Sequence, residues 1–392
     1  MTKLLILGCS HAELPLIEAA RSRGCFVGIV GSDPDGLGMR RADAKHVIDY
    51  SDVDAVREVI LRDDYRAVVA GCNDFAELTR VRLEADRPTR ISDKQFQAEA
   101  VHFKDRFRRL CASLQIQAPR AVALTAQRQG LEELESLRFP VIVKPTDLTG
   151  GKGVRVCSDR ADLDAAIDYA LGRSRRDQVV VEEFLNGQLS SACFWQSDGR
   201  MHLLTHADEF MYLNPFLVAA AITPSASHPG VLESITRDLE RISAALELTD
   251  GVFHVQYLSE GSSYAILEVC RRPPGDLYIK LPTTFASISL ADLMIDQALG
   301  FATKIPSILT ELSPTIRICV MPPKNGVIAS WGIAPSLRDI AQEVLELKST
   351  QCEITDFMTE KLAIVLASHD DRRVLEELTI DPAQALDVIY IS

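Results

Sequence analysis

The chain has 392 residues, 47% of them hydrophobic and 25% charged, with a formal net charge of −13; this predicts two or three globular domains. No concentrated block of Lys and Arg is present to hold a phosphate backbone, which argues against a nucleic-acid partner. No segment reaches the run of about 18 apolar residues that a membrane span needs. The N-terminus reads as a first strand, not a secretion signal. The nine cysteines are scattered without CxxC spacing, which argues against a zinc or redox motif and fits free thiols in the cytoplasm.

In chain order, residues 1–95 alternate short apolar strands (3–7, 25–30, 44–49, 66–70) with helical stretches (13–22, 53–62). That alternation predicts βαβ units and a parallel, Rossmann-like sheet. The turn Gly8-Cys9-Ser10-His11 follows the first strand, at the carboxyl edge where such sheets bind ligands. It lacks the GxGxxG of a dinucleotide site. Ser10 is suited to cap the next helix, and His11 and Glu13 are candidate aids to a substrate site. Residues 97–117 are expected to form one helix with Phe103, Phe107, Leu110 and Leu114 on one face. Pro119 ends it. Residues 120–187 hold short strands (121–124, 141–144, 154–156, 179–182) and two helical stretches. Residues 188–300 are mixed. Residues 306–392, opening with Pro306 and Pro314, are expected to form a small terminal α/β domain. The fold class is α/β and α+β multidomain.

Three constellations carry candidate chemistry. In the first, an apolar strand ends in Lys144-Pro145 and is followed by Thr149-Gly150-Gly151-Lys152-Gly153. Glycines let backbone N–H groups approach an anion closely, and two ammonium groups can neutralise nucleotide phosphates. The pattern is not that of a P-loop, and a plain glycine hairpin turn is the competing reading. In the second, the strand at 179–182 runs into Glu182-Glu183-Phe184-Leu185-Asn186-Gly187-Gln188, a connection able to face an adenine edge; an ordinary strand end is the alternative. In the third, two neighbouring strands carry Gln256 and Glu268, and Arg271-Arg272 follows. Alternation places Gln256 and Glu268 on one side. Mg²⁺ takes oxygen ligands from one or two carboxylates plus nucleotide phosphates. Arg272 is suited to clamp a carboxylate or phosphoryl group. A surface hairpin with paired Glu and Arg is the competing reading.

The order of these elements resembles the ATP-grasp superfamily over nearly the whole chain. The resemblance implies a pre-ATP-grasp domain at 1–95, an ATP-grasp body at 96–305 with a mobile lid at about 120–187, and the terminal domain at 306–392. It implies ATP and Mg²⁺ as cofactors. Lys104 and Lys144 match the phosphate-contacting lysines, and Thr149, Gly150, Gly151, Lys152 and Gly153 the closing loop. Glu182, Glu183, Phe184 and Leu185 match the adenine connection, and Gln188 a ribose-binding position. Glu268 matches the main magnesium ligand, and Arg272 the arginine that steadies an acyl phosphate. Gln256 stands where the family usually has an acid, and Cys270 where it often has Asn. A thiol is a poor ligand for magnesium.

The resemblance implies an ADP-forming carboxylate–amine ligase acting on small molecules. A bicarbonate-activating enzyme and a nucleotide-binding protein without turnover are the alternatives. Arg271 and His254 are the favoured candidates to line the acceptor pocket, ahead of Met211, Tyr212 and Phe216. A homodimer is the commonest assembly for such a chain.

Overall fold

The computed structural model describes residues 1–85, 92–303, 305 and 313–391. The N-terminal unit is a parallel sheet of β1 (Lys3–Leu7), β2 (Phe26–Gly31), β3 (Ala44–Val47) and β4 (Ala67–Ala70), in the order β3-β2-β1-β4. Leu4 to Leu7 are all fully buried, as an apolar strand covered on both faces must be. Helices α1 (Leu14–Ser22), α2 (Leu37–Arg41), α3 (Val53–Asp63) and α4 (Asp74–Glu84) surround this sheet.

The single helix expected at 97–117 is instead two helices, α5 (Gln95–His102) and α6 (Lys104–Ser113). Phe103 between them is extended (φ −88°, ψ 120°), and the Lys104 N–H donates to Thr146 O at 3.1 Å. The apolar periodicity runs through the break, so it gave no warning. The consequence is functional: Lys104 begins a helix, with Arg108 one turn further along the same face.

The lid is an antiparallel sheet of β5 (Ala121–Thr125), β6 (Val141–Pro145), β7 (Arg155–Cys157) and β8 (Gln178–Glu183), ordered β5-β8-β6-β7. Helix α7 (Leu163–Leu171) buries Leu163, Ile167 and Ala170 against Val141, Val143, Val179 and Val181. The glycine-rich segment is the connection of the β6–β7 hairpin.

The body contributes β9 (Gln188–Ser197), β10 (Arg200–Met211), β11 (Val218–Thr223), β12 (Gly251–Glu260) and β13 (Ser263–Cys270). Alternation divides its faces. Phe253, Val255 and Tyr257 of β12 pack with Phe107 of α6 and Ile235, Leu239 and Ile242 of α8 (Pro229–Leu246). Val252, on the opposite face, joins a core with Leu16 and Ile17 of α1 and with Leu290 and Leu293.

The C-terminal segment adds β14 (Thr315–Val320), β15 (Gly326–Ile333), β16 (Ala341–Glu346), β17 (Cys352–Ile354), β18 (Ala363–Ser368) and β19 (Leu386–Tyr390). This terminal α/β segment is built onto the body sheet. β14 pairs with β11, and β18 and β16 follow, giving one eight-stranded sheet ordered β13-β12-β9-β10-β11-β14-β18-β16. β17, β15 and β19 form a second, small sheet that shares a core with β14 and β18. Pro306, read as the opening of this segment, lies outside the described residues.

Candidate active site

The site forms where the lid, the body sheet and the N-terminal unit meet. Gln256 of β12 and Glu268 of β13 stand directly opposite each other in the antiparallel register, so their side chains share one face. The register slips just beyond this pair, between Gln256 and Tyr257, and such bulges re-aim side chains. The Leu267 carbonyl beside the slip accepts from Arg108 NH2 of α6 at 2.6 Å. Arg108 Nε donates to Glu182 Oε1 at 2.6 Å, and Lys144 Nζ holds Glu182 Oε2 at 2.7 Å. One arginine thereby ties the lid's Lys144–Glu182 pair to the strand carrying Glu268.

Glu182 is fully buried. Burial alone would raise its pKa, but Arg108 and Lys144 outweigh it and hold the carboxyl at about 2. Its side chain is therefore not available to an adenine ring; any adenine contact falls to the backbone of this connection. Glu183 points the other way, as its neighbour in a strand must, and pairs with Arg138 at 2.9 Å. Phe184 and Gln188 are exposed and Leu185 half-buried at the mouth of the connection. Gln188 Nε2 is bonded to Leu189 O at 2.7 Å.

Lys104 Nζ donates to Leu148 O at 2.7 Å, so the start of α6 anchors the stem of the glycine loop. Gly150, Gly151 and Gly153 all adopt positive φ (65°, 71° and 76°), which disfavours any side chain there. A Cβ at Gly151 would fall 2.5 Å from Phe216 Cβ, so the loop rests on the β10–β11 connection. Phe216, a pocket candidate from the sequence, is this seat. Thr149 is half-buried and Lys152 exposed, and no hydrogen bond or ion pair holds Lys152 among the described residues.

The arginines after β13 diverge. Arg272 Nε bonds Asp74 Oδ1 of the N-terminal unit at 2.7 Å, and Asp74 also takes His102 Nδ1 at 3.1 Å. Burial works against the Asp74 charge, but Arg272 and His102 keep its carboxyl well below the usual range. Asp74, His102 and Cys270 lie within metal-ligand reach of one another. Asp74 is committed to Arg272, however, and the second ring nitrogen of His102 faces the Arg271 N–H at 3.4 Å. The cluster therefore reads as a bracket that orients Arg272.

Arg271, expected at the acceptor pocket, has its guanidinium bonded within the protein. It is buried, with Nε on Asp93 at 2.9 Å, NH1 on Val252 O at 2.9 Å and NH2 on Thr249 O at 2.5 Å. Successive residues leave a strand on opposite sides, and only Arg272 leaves toward the site. His254 is buried edge-on against Tyr278, with both ring nitrogens unpartnered among the described residues. Burial, reinforced by Arg272, pushes its pKa down to about 3. Met211 is exposed and Tyr212 half-buried.

The structure adds groups that sequence reading missed. Glu209 of β10 is buried and accepts from Gln256 Nε2 at 2.5 Å; burial pushes its pKa up to about 7. Arg317 of β14 lies across the sheet from Glu209, in register through Ala221, with Nε buried and unpartnered among the described residues. Asp276 binds Lys361 Nζ at 2.6 Å and His11 Nε2 at 3.1 Å. Glu13, a candidate beside His11, is buried and accepts from Ser10 and Cys72 N–H groups at 2.8 and 3.0 Å; it ties two strand ends together. A charged residue inside an otherwise apolar strand, such as Arg317 in TIRICV, was the signal available.

Glu268 and Gln256 offer oxygen donors, and Glu268 is half-buried with no hydrogen bond or ion pair among the described residues. That donor set fits a hard divalent cation such as Mg²⁺.

Two expectations follow for stability. Removing Arg271 strands the buried Asp93 charge, so Arg271→Ala should cost about 3–5 kcal/mol in urea unfolding. Glu182, with its pKa depressed from 4.5 to about 2, stabilises the fold fully above pH 4.5 and loses that contribution as pH falls toward 2. The swing is about 3 kcal/mol. Glu182→Gln should be less stable at pH 7 yet show a flatter acid limb in thermal melts from pH 5 to 2.

A family model of the ATP-grasp domain matches residues 137–279. The chain is 25% identical over 406 residues to a formate-dependent phosphoribosylglycinamide formyltransferase of Bacillus velezensis, covering 100% of this chain and 99% of that one. It is 26% identical over 303 residues to a carbamoyl phosphate synthase large chain of Methanoculleus marisnigri, covering 74% of this chain but only 28% of that one. Among solved structures, an L-amino acid ligase from Bacillus licheniformis superposes with a TM-score of 0.84 at 17% identity, covering 100% of this chain and 99% of that one. The family-model match spans the glycine loop and the carboxylate-bearing strands, and identifies residues 137–279 as an ATP-grasp domain.

Proposed function

We propose that the protein is an ADP-forming ligase that phosphorylates a small carboxylate with ATP and transfers the activated acyl group to an amine. The observation that carries this reading is the Arg108 bridge, which joins the lid's Lys144–Glu182 pair to the strand of Glu268. Phosphate-neutralising and cation-binding groups are thereby held by one element. The named activities of the similar proteins, formate-dependent formyl transfer and amino-acid ligation, are compatible with acyl activation.

In this reading Lys104 and Lys144 neutralise nucleotide phosphates, and the positive-φ glycines let the loop backbone close over them. Bound Mg²⁺ would supply charge neutralisation on the phosphate oxygens, held by Glu268 and Gln256. Arg272, braced by Asp74, presents a guanidinium to the carboxylate and to the phosphoryl group that it receives. A carboxylate oxygen is already nucleophilic, so the residues act by positioning and charge, not by proton abstraction. Attack on the γ-phosphorus releases ADP. The amine then attacks the acyl carbon and phosphate departs. The loop, seated on Phe216, shields the acyl phosphate from water.

The test is incubation with Mg-ATP and pooled carboxylic and amino acids, read by mass spectrometry. ADP with a dehydrated conjugate is expected. AMP would instead indicate adenylation and overturn the mechanism. Glu268→Ala should lower ADP formation by roughly 10²–10³-fold while circular dichroism and the melting temperature stay near wild type. Unchanged turnover in that variant would remove Glu268 from the site.

A further inference from the structure

Gln256 poses a chemical problem. An amide has two ends of similar shape, but only the oxygen can ligate a hard cation. Rotation by a half-turn exchanges them, and the covalent structure selects neither.

Glu209 supplies the selection. It lies on β10, two strands from Gln256, and is 3% exposed. The two meet at 2.5 Å between Gln256 Nε2 and Glu209 Oε2. Gln256 Nε2 is the donor in this contact, and the ionised carboxylate, which only accepts hydrogen bonds, holds the amide with its NH₂ toward Glu209. Among the described residues nothing bonds the opposite end, Oε1, and nothing bonds Glu268, which faces Gln256 in register. Glu209 does not swing freely: the Asp208 carboxylate next to it binds Ser190, Ser225 and Arg372 on the other face. Backbone and strand pairing thus aim Glu209 toward Gln256.

We infer that Glu209 is the positioning residue that makes Gln256 a cation ligand, fixing the amide so that its oxygen and the Glu268 carboxylate are left for a divalent ion. The inference rests on the ligase reading above, since it presumes that a metal–nucleotide complex binds here. Outer-shell partners of this kind typically alter metal affinity by about 10–100-fold.

The test uses Mn²⁺ as the probe, titrated into full-length protein with ADP at pH 8, with free ion read by electron paramagnetic resonance. Glu209→Gln should weaken Mn²⁺ binding at least tenfold while metal-free ADP binding, by calorimetry, is unchanged. Combining it with Gln256→Glu should bring affinity back to within about threefold of wild type, because a carboxylate at 256 needs no orientation. In a Gln256→Ala background, Glu209→Gln should have no further effect. That cycle separates positioning from a structural role, and it survives if one single variant folds poorly. Wild-type affinity in Glu209→Gln, or an equal loss in the Gln256→Ala background, overturns the inference. Failure of the wild-type protein to bind Mn²⁺ with ADP would overturn the ligase reading instead.

Discussion

The architecture of the site depends on one buried carboxylate. Glu182 has no exposed surface, and a lone carboxylate so placed would be strongly disfavoured. Arg108 and Lys144 make it tolerable, one on each oxygen. A buried pair of this kind adds little net stability against an apolar replacement, but breaking it leaves an uncompensated charge. The arrangement therefore specifies geometry. It sets where Lys144 points, how the lid sheet sits on α6, and which carbonyl of β13 Arg108 can reach.

A second constraint works at the end of β13. Arg271 and Arg272 are adjacent in sequence and leave the strand on opposite sides. Each is received by a carboxylate from the N-terminal side of the chain, Asp93 and Asp74. The strand end is thereby gripped from both faces, and of the two guanidiniums only that of Arg272 is held toward the site. The N-terminal unit thus reaches the candidate site on the central sheet by fixing the two arginines that follow β13. His11 adds a further tie from another loop, to Asp276, which also binds Lys361.

The long sheet spreads the remaining groups. Glu268, Gln256 and Ser191 form one cross-strand row, and Glu209, Ala221 and Arg317 another. Strands separated by more than a hundred residues thus contribute to one face. The C-terminal segment takes part because β14 continues the same sheet and places Arg317 in one row with Glu209, across β11.

Much was legible in the sequence because it is local. Apolar runs of four to six residues specified β1, β2, β4, β6 and β8 nearly to their ends, since a buried strand needs an unbroken apolar face. The glycines at 150, 151 and 153 announced a loop that other residues would strain. Alternation put Gln256 and Glu268 on one face. What the sequence could not supply were partners distant along the chain. Phe103 breaks a helix because Thr146 O is waiting for the Lys104 N–H. Arg271 is structural because Asp93 meets it, and Glu209 matters because folding sets β9 between β10 and β12, within side-chain reach of each other. Local periodicity records which face of an element is buried, and the sequence settled that much. Only the tertiary structure decided which buried polar group meets which, because each charge in a low-dielectric interior must find its counter-charge wherever along the chain that lies.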